Sequence, residues 1–140
     1  MFEWEHLRTF YFDGADCPNG VTIAPDIFSN SSLLKDLTIR GSKQGYQKLI
    51  KNLNIKDLKY LKALDLSNNN ISYISDAKDF PRLLEKLDLS ENPLRFSKAL
   101  QKLNIPCIYI KDGRKCFDAN SIRKELCSKF EHLSFEVRIK

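Results

Sequence analysis

Apolar residues recur along this chain in short, repeated clusters. From Leu61 they fall at Leu61, Leu64, Leu66 and Ile71, with Asn69 between the last two. The same offsets from Leu84 give Leu84, Leu87, Leu89, Asn92 and Leu94. The pairs Leu64/Leu66 and Leu87/Leu89 have the period of two that sends alternate strand side chains to one face. Looser copies give Leu7, Phe10 and Phe12, then Leu34, Leu37 and Ile39. Downstream come Ile105, Ile108 and Ile110, then Phe130, Leu133 and Phe135. Six strands are expected, in units starting at 7, 34, 61, 84, 105 and 130, which are spaced by 21 to 27 residues. Units of that length bury their apolar faces by stacking on their neighbours.

The connections differ in character. Within 43–60, Tyr46, Leu49, Ile50 and Leu53 sit at helical spacing, so a short helix is expected there. Within 118–130, Ile122, Leu126 and Phe130 share one helical face, with Asn120 or Ser121 as the cap. The stretch 17–32 contains Pro18, Gly20 and Pro25 and reads as irregular or extended.

The motif L-x-x-L-x-L-x-x-N-x-L, complete at 61–71 and 84–94, resembles the leucine-rich repeat family. The resemblance implies an α/β solenoid of about six repeats, forming a single domain over residues 1–140. Its concave side would be a curved parallel β-sheet, and its convex side short helices and irregular segments. Six strands would span on the order of 24 Å. The outer repeats depart from the motif. Ala15, Ser42, Gly113 and Arg138 stand where Asn69 and Asn92 stand, and Cys17, Gln44, Lys115 and Lys140 replace the last apolar residue. The asparagine ladder is therefore expected to be short. Asn69 and Asn92 should turn inward to satisfy backbone groups at a tight corner. Asn68 should lie at the strand exit and Asn70 should point outward.

A second, looser resemblance lies at 21–39. There Ile23, Pro25 and Phe28 look like the convex segment of the longer repeats in Toll-like and other extracellular receptors. Asn30-Ser31-Ser32 and Asn70-Ile71-Ser72 are glycosylation sequons, so Asn30 and Asn70 are candidate acceptors.

The family resemblance implies that exposed strand residues on the concave face bind a protein. Counting from the pattern puts Thr9, Asp36, Ala63, Lys86, Cys107 and His132 in a first column. Tyr11, Thr38, Asp65, Asp88, Tyr109 and Ser134 form a second. Asp13, Arg40, Ser67, Ser90, Lys111 and Glu136 form a third. The candidate partner-binding residues are Tyr11, Asp36, Thr38, Arg40, Asp65, Lys86, Asp88, Tyr109 and Lys111. Adjacent carboxylates flanked by tyrosines suit a basic partner.

Composition narrows the picture. The chain has 140 residues, 42% of them hydrophobic, and a net charge of +5. No run approaches the roughly 18 apolar residues of a membrane span. Lysines are interleaved with acids, as on a solvated surface, so no nucleic acid is expected. The small group Tyr109, Lys111, Arg114 and Lys115 is interrupted by Asp112. None of the common catalytic motifs occurs, and no enzymatic activity is expected. Asp65 and Asp88 would sit one strand apart but lack a pocket and a proton partner. Cys107, Cys116, Cys127 and His132 lack the close pairs of a zinc site, so neither metal nor cofactor is expected. Cys17 should lie too far from the other cysteines to pair with them, whereas Cys116 and Cys127 could approach each other. The first residues, MFEWEHLRTFYF, do not form a signal peptide. The receptor-like segment points to an extracellular or cell-surface piece of a longer chain, with a cytoplasmic adaptor as the alternative. Open ends of the sheet would invite self-association.

Overall fold

The computed structural model describes residues 4–19 and 21–127. Strands form at the first five expected places: β1 (Thr9–Asp13), β2 (Asp36–Arg40), β3 (Ala63–Asp65), β4 (Lys86–Asp88) and β5 (Cys107–Tyr109). They lie side by side in chain order and are mutually parallel. The register is that of the sequence offsets. Leu37 pairs with Leu64, Leu64 with Leu87, and Leu87 with Ile108. A one-residue slip would turn every one of these side chains out to solvent, so the buried face locks the alignment.

At the entries of β2, β3 and β4 one carbonyl accepts two N–H groups from the next unit. The Arg8 carbonyl takes Lys35 and Asp36, that of Lys35 takes Lys62 and Ala63, and that of Lys62 takes Glu85 and Lys86. Connections return behind the sheet through α1 (Tyr46–Leu53), 3₁₀ turns at Ile55–Asp57 and Ala77–Asp79, and α2 (Lys98–Lys102). Helix α1 forms at its expected place and buries Tyr46, Leu49, Ile50 and Leu53. Asn54 ends it in the left-handed conformation, with its N–H on the Ile50 carbonyl. Leu61, Leu64, Leu66, Leu87, Leu89 and Ile108 are essentially inaccessible to solvent. Each such side chain contributes about 2 kcal/mol of burial. The Tyr46 hydroxyl donates to Asp79 at 2.9 Å. Burial first, then the Asp79 and Asp76 carboxylates, push its phenol far above the ordinary value.

The two ends are closed differently. At the first, the Trp4 ring lies 5.5 Å from Phe10 and 6.0 Å from Phe28, an aromatic cover over the core. Ile23 and Phe28, from the irregular segment, are buried there, whereas Pro25 is exposed. At the other end the sheet gains β6 (Cys116–Phe117), which runs antiparallel to β5. The sixth strand is thus a hairpin return. The strand expected from 130 lies outside the described residues, as do His132, Ser134, Glu136, Arg138 and Lys140.

The hairpin also decides the cysteine pairing. Register puts Cys116 opposite Tyr109, two residues from Cys107, and Cys107 and Cys116 form a disulfide with Cα atoms 5.1 Å apart. Cys116 therefore pairs with Cys107, not with Cys127; the antiparallel return that sets this pairing is not visible in a parallel repeat pattern. Cys17 and Cys127 are free thiols.

A helix, α3, covers 119–127 and buries Ile122. Its cap is Asp118, one residue before the helix, rather than Asn120 or Ser121. The Asp118 carboxylate accepts the Ser121 N–H at 2.9 Å, and the Ser121 hydroxyl accepts the Asp118 N–H at 3.2 Å. This reciprocal arrangement is a capping box, which holds the Asp118 carboxyl below its ordinary range. Phe130 lies outside the described residues.

Candidate functional site

Alternation along each strand leaves one face of the sheet open. In β1, Thr9, Tyr11 and Asp13 are exposed, while Phe10 and Phe12 turn toward the core. The pairings carry this through the sheet. Tyr11, Thr38, Asp65, Asp88 and Tyr109 stand in one line across five strands. Thr9, Asp36, Ala63, Lys86 and Cys107 form the line beside it. Asp36, Thr38, Asp65, Lys86, Asp88 and Tyr109 line a shallow hollow of about 190 Å³. Six of the nine candidate residues therefore converge on one place. Tyr11 stands toward the β1 edge, 67% exposed.

The two aspartates of the hollow also shape the backbone. Asp65 accepts the Ser67 N–H at 2.9 Å, and Asp88 accepts the Ser90 N–H at 2.9 Å. Each engages one carboxylate oxygen, Oδ1, in closing the turn at its own strand exit. Asp-Leu-Ser at 65–67 and 88–90 is thus a turn motif as well as surface charge.

Arg40 and Lys111 are already engaged. The Arg40 guanidinium reaches Asp13 at 3.2 Å, Glu91 at 2.8 Å and the Ser67 hydroxyl. Burial opposes its charge, but Glu91 and then Asp13 outweigh that, and its pKa rises. It ties the exits of β1, β3 and β4 together on the exposed surface. Lys111 pairs with Glu125 of α3 at 2.5 Å. Sequence counting could not see these acids, since Glu91 and Glu125 lie outside the strand columns.

Behind the exits runs the asparagine ladder. The Asn69 carbonyl oxygen accepts the Ser42 N–H at 2.8 Å. Its amide donates to the Ile39 carbonyl at 2.7 Å and the Ser67 carbonyl at 3.2 Å. Asn92 repeats this one unit later. It accepts the Asn69 N–H at 2.8 Å and donates to the Leu66 and Ser90 carbonyls at 3.0 and 3.1 Å. Asn68 and Asn70, on either side of the buried Asn69, take left-handed backbone at φ 56° and 57°. Asparagine tolerates that region better than most side chains, which explains three in a row. Asn70 and Asn30 are both exposed.

Residues 60–80 match the family model described as Leucine Rich Repeat. This segment is a leucine-rich repeat. Leucine-rich repeats are protein-interaction motifs and generally non-enzymatic. The matched repeat contains β3, Asp65 and Asn69, so the family pattern sits on the middle of the open face. No curated protein and no solved structure matches the chain. No described helix is long and apolar enough to cross a membrane.

Sequence reasoning missed Gln44. Its carbonyl oxygen accepts the Ile23 N–H at 2.9 Å and the Ser42 hydroxyl at 3.0 Å, and its amide donates to the Ile23 carbonyl at 3.3 Å. It stands where the repeat calls for an apolar residue. An amide two positions after a missing ladder asparagine was the available signal.

Proposed function

We propose that this chain is a non-enzymatic leucine-rich-repeat solenoid of about six repeats that binds a protein partner on its concave face. The contact centres on Asp65, Asp88 and Tyr109, with Tyr11, Asp36, Thr38 and Lys86 around them. Arg40 and Lys111 shape the rim through their own ion pairs. The observation that carries the reading is the gathering of Asp36, Thr38, Asp65, Lys86, Asp88 and Tyr109 in a single hollow on the open sheet face. Two aspartates there, each with Oδ2 outside the turn bonds, suit a basic segment of the partner.

The test removes charge without removing the turn. Asn at 65 and 88 keeps an oxygen for the Ser67 and Ser90 N–H groups. Affinity capture with mass spectrometry, comparing wild type with Asp65→Asn/Asp88→Asn, should show a basic partner weakened by about tenfold in the variant. Equal recovery by both proteins rejects the concave contact.

The reading extends to a receptor-like ectodomain. The Cys107–Cys116 disulfide and the exposed Asn30 and Asn70 support an oxidising, glycosylating compartment. The free Cys17 and Cys127 favour the alternative, an intracellular adaptor or a regulatory subunit of an enzyme or RNA-bound complex. Expression in a secretory host separates them. Glycans at Asn30 or Asn70 with two reactive thiols fit the ectodomain; four reactive thiols without glycans reject it.

A further inference from the structure

On the side of the molecule away from the open sheet face, three successive connections enclose a larger hollow of about 580 Å³. Lys56 comes from the 3₁₀ turn Ile55–Asp57, Lys78 from Ala77–Asp79, Arg82 from the segment after it, and Lys102 from the end of α2. All four cations are exposed. None makes an ion pair among the described residues. Ala77, Phe80, Pro81, Leu103 and Ile105 supply the apolar part of the lining, and the exposed Asn104 adds a polar side chain.

No carboxylate lines this hollow. The nearby acids Asp57, Asp76 and Asp79 accept hydrogen bonds from neutral groups and stand outside the lining. Asp79 accepts the Tyr46 hydroxyl at 2.9 Å, Asp76 accepts the Lys78 N–H at 2.9 Å, and Asp57 takes the Asn54 amide at 2.8 Å. Four like charges around one depression repel one another, a cost that an anionic occupant relieves.

We propose that this hollow is a second docking site, which takes an acidic segment of a protein partner carrying an apolar anchor residue. The cations meet the carboxylates, and the apolar lining of Pro81, Leu103 and Ile105 receives the anchor. One feature favours a peptide over nucleic acid: the lining is a single patch on three adjacent connections rather than a track. The site rests on the reading of this chain as a protein-binding module, but it shares no residue with the concave hollow.

Fluorescence anisotropy with a labelled Glu/Leu peptide tests it on the whole chain. The wild type should bind, and Lys78→Glu/Arg82→Glu/Lys102→Glu should weaken binding by at least roughly tenfold, since each reversal removes an attraction and adds a repulsion. The Gln/Leu counterpart should not bind. Asp65→Asn/Asp88→Asn should leave the peptide affinity unchanged, so this result is distinguishable from failure of the concave contact. Circular dichroism checks that the charge-reversed variant folds, and Lys78→Gln/Arg82→Gln gives a milder second variant with an intermediate loss. Absence of peptide binding, equal binding of the Gln peptide, or tighter binding of an oligoribonucleotide or of phosphatidylserine vesicles overturns the proposal.

Discussion

At the exits of β3 and β4 the chain turns on one buried or half-buried asparagine, and the two corners are near copies. Each amide donates to the strand-end carbonyl of the unit before and to a carbonyl of its own unit, and each oxygen takes the neighbour's N–H. The exit of β2 does the same work with other parts. Ser42 is too short to reach the preceding unit. Gln44 reaches back instead, to the irregular segment at Ile23. Backbone closeness supplies the rest, since Gly41 sits at φ 76° with Ala15 N 2.3 Å from where a Cβ would be. The exit of β5 has no ladder side chain, only Gly113. Corners built from one repeating side chain can be copied from unit to unit, whereas a corner that lacks it is solved by local packing. That difference is why only the middle of the chain shows the full repeat.

The sharpest way to break the comparison is Gly41→Ala. A methyl group there meets the backbone of Gly14 and Ala15 and forces an unfavourable left-handed conformation. Stability should fall by more than about 3 kcal/mol, read as a loss of thermal or denaturant midpoint. A variant as stable as wild type would mean that the units are not pressed together at this corner.

Next come the two amides. Asn69→Ala strips three hydrogen bonds from a site 1% exposed and leaves the buried Ser42 N–H unpaired. We expect a loss of about 3 kcal/mol, against about 1 kcal/mol for Gln44→Ala, where partial exposure lets water replace the amide. Denaturant titrations of both variants measure the gap. Equal losses would show that the improvised corner is as demanding as the repeated one.

The smallest effect tests the exit of β4. Glu91 holds the left-handed position at φ 57°, one unit on from Asn68 at φ 56°. Glu91→Asn copies the neighbouring corner. It relieves backbone strain but gives up the Arg40 ion pair, whose partners are partly solvated. The net gain should be about 0.5 kcal/mol, seen as a small rise in midpoint. A clear loss would mean that the Arg40 network outweighs the turn.

Much of the central architecture was legible in the order of residues. Period-two leucines and a recurring asparagine are local features, and their offsets predicted the register of five strands, the column Tyr11 to Tyr109 and the inward turn of Asn69. The short helix α1 was equally readable, because its apolar stripe lies within one segment. Each of these depends on residues a few positions apart, or on copies of such a cluster.

What the sequence by itself determined, then, was the stacking rule: which residues face in, and which unit lies beside which. Tertiary structure alone decided the rest. It turned β6 back antiparallel and so chose Cys107 over Cys127 as the partner of Cys116. It carried Glu91 to Arg40 and Glu125 to Lys111, which drew two candidate contact residues into the frame of the sheet. It also gathered Lys56, Lys78, Arg82 and Lys102 around one hollow, although they are spread over three connections. The reason is physical. Burial of apolar side chains is written residue by residue, while ion pairs, disulfides and charge clusters depend on distances that exist only once the units have stacked.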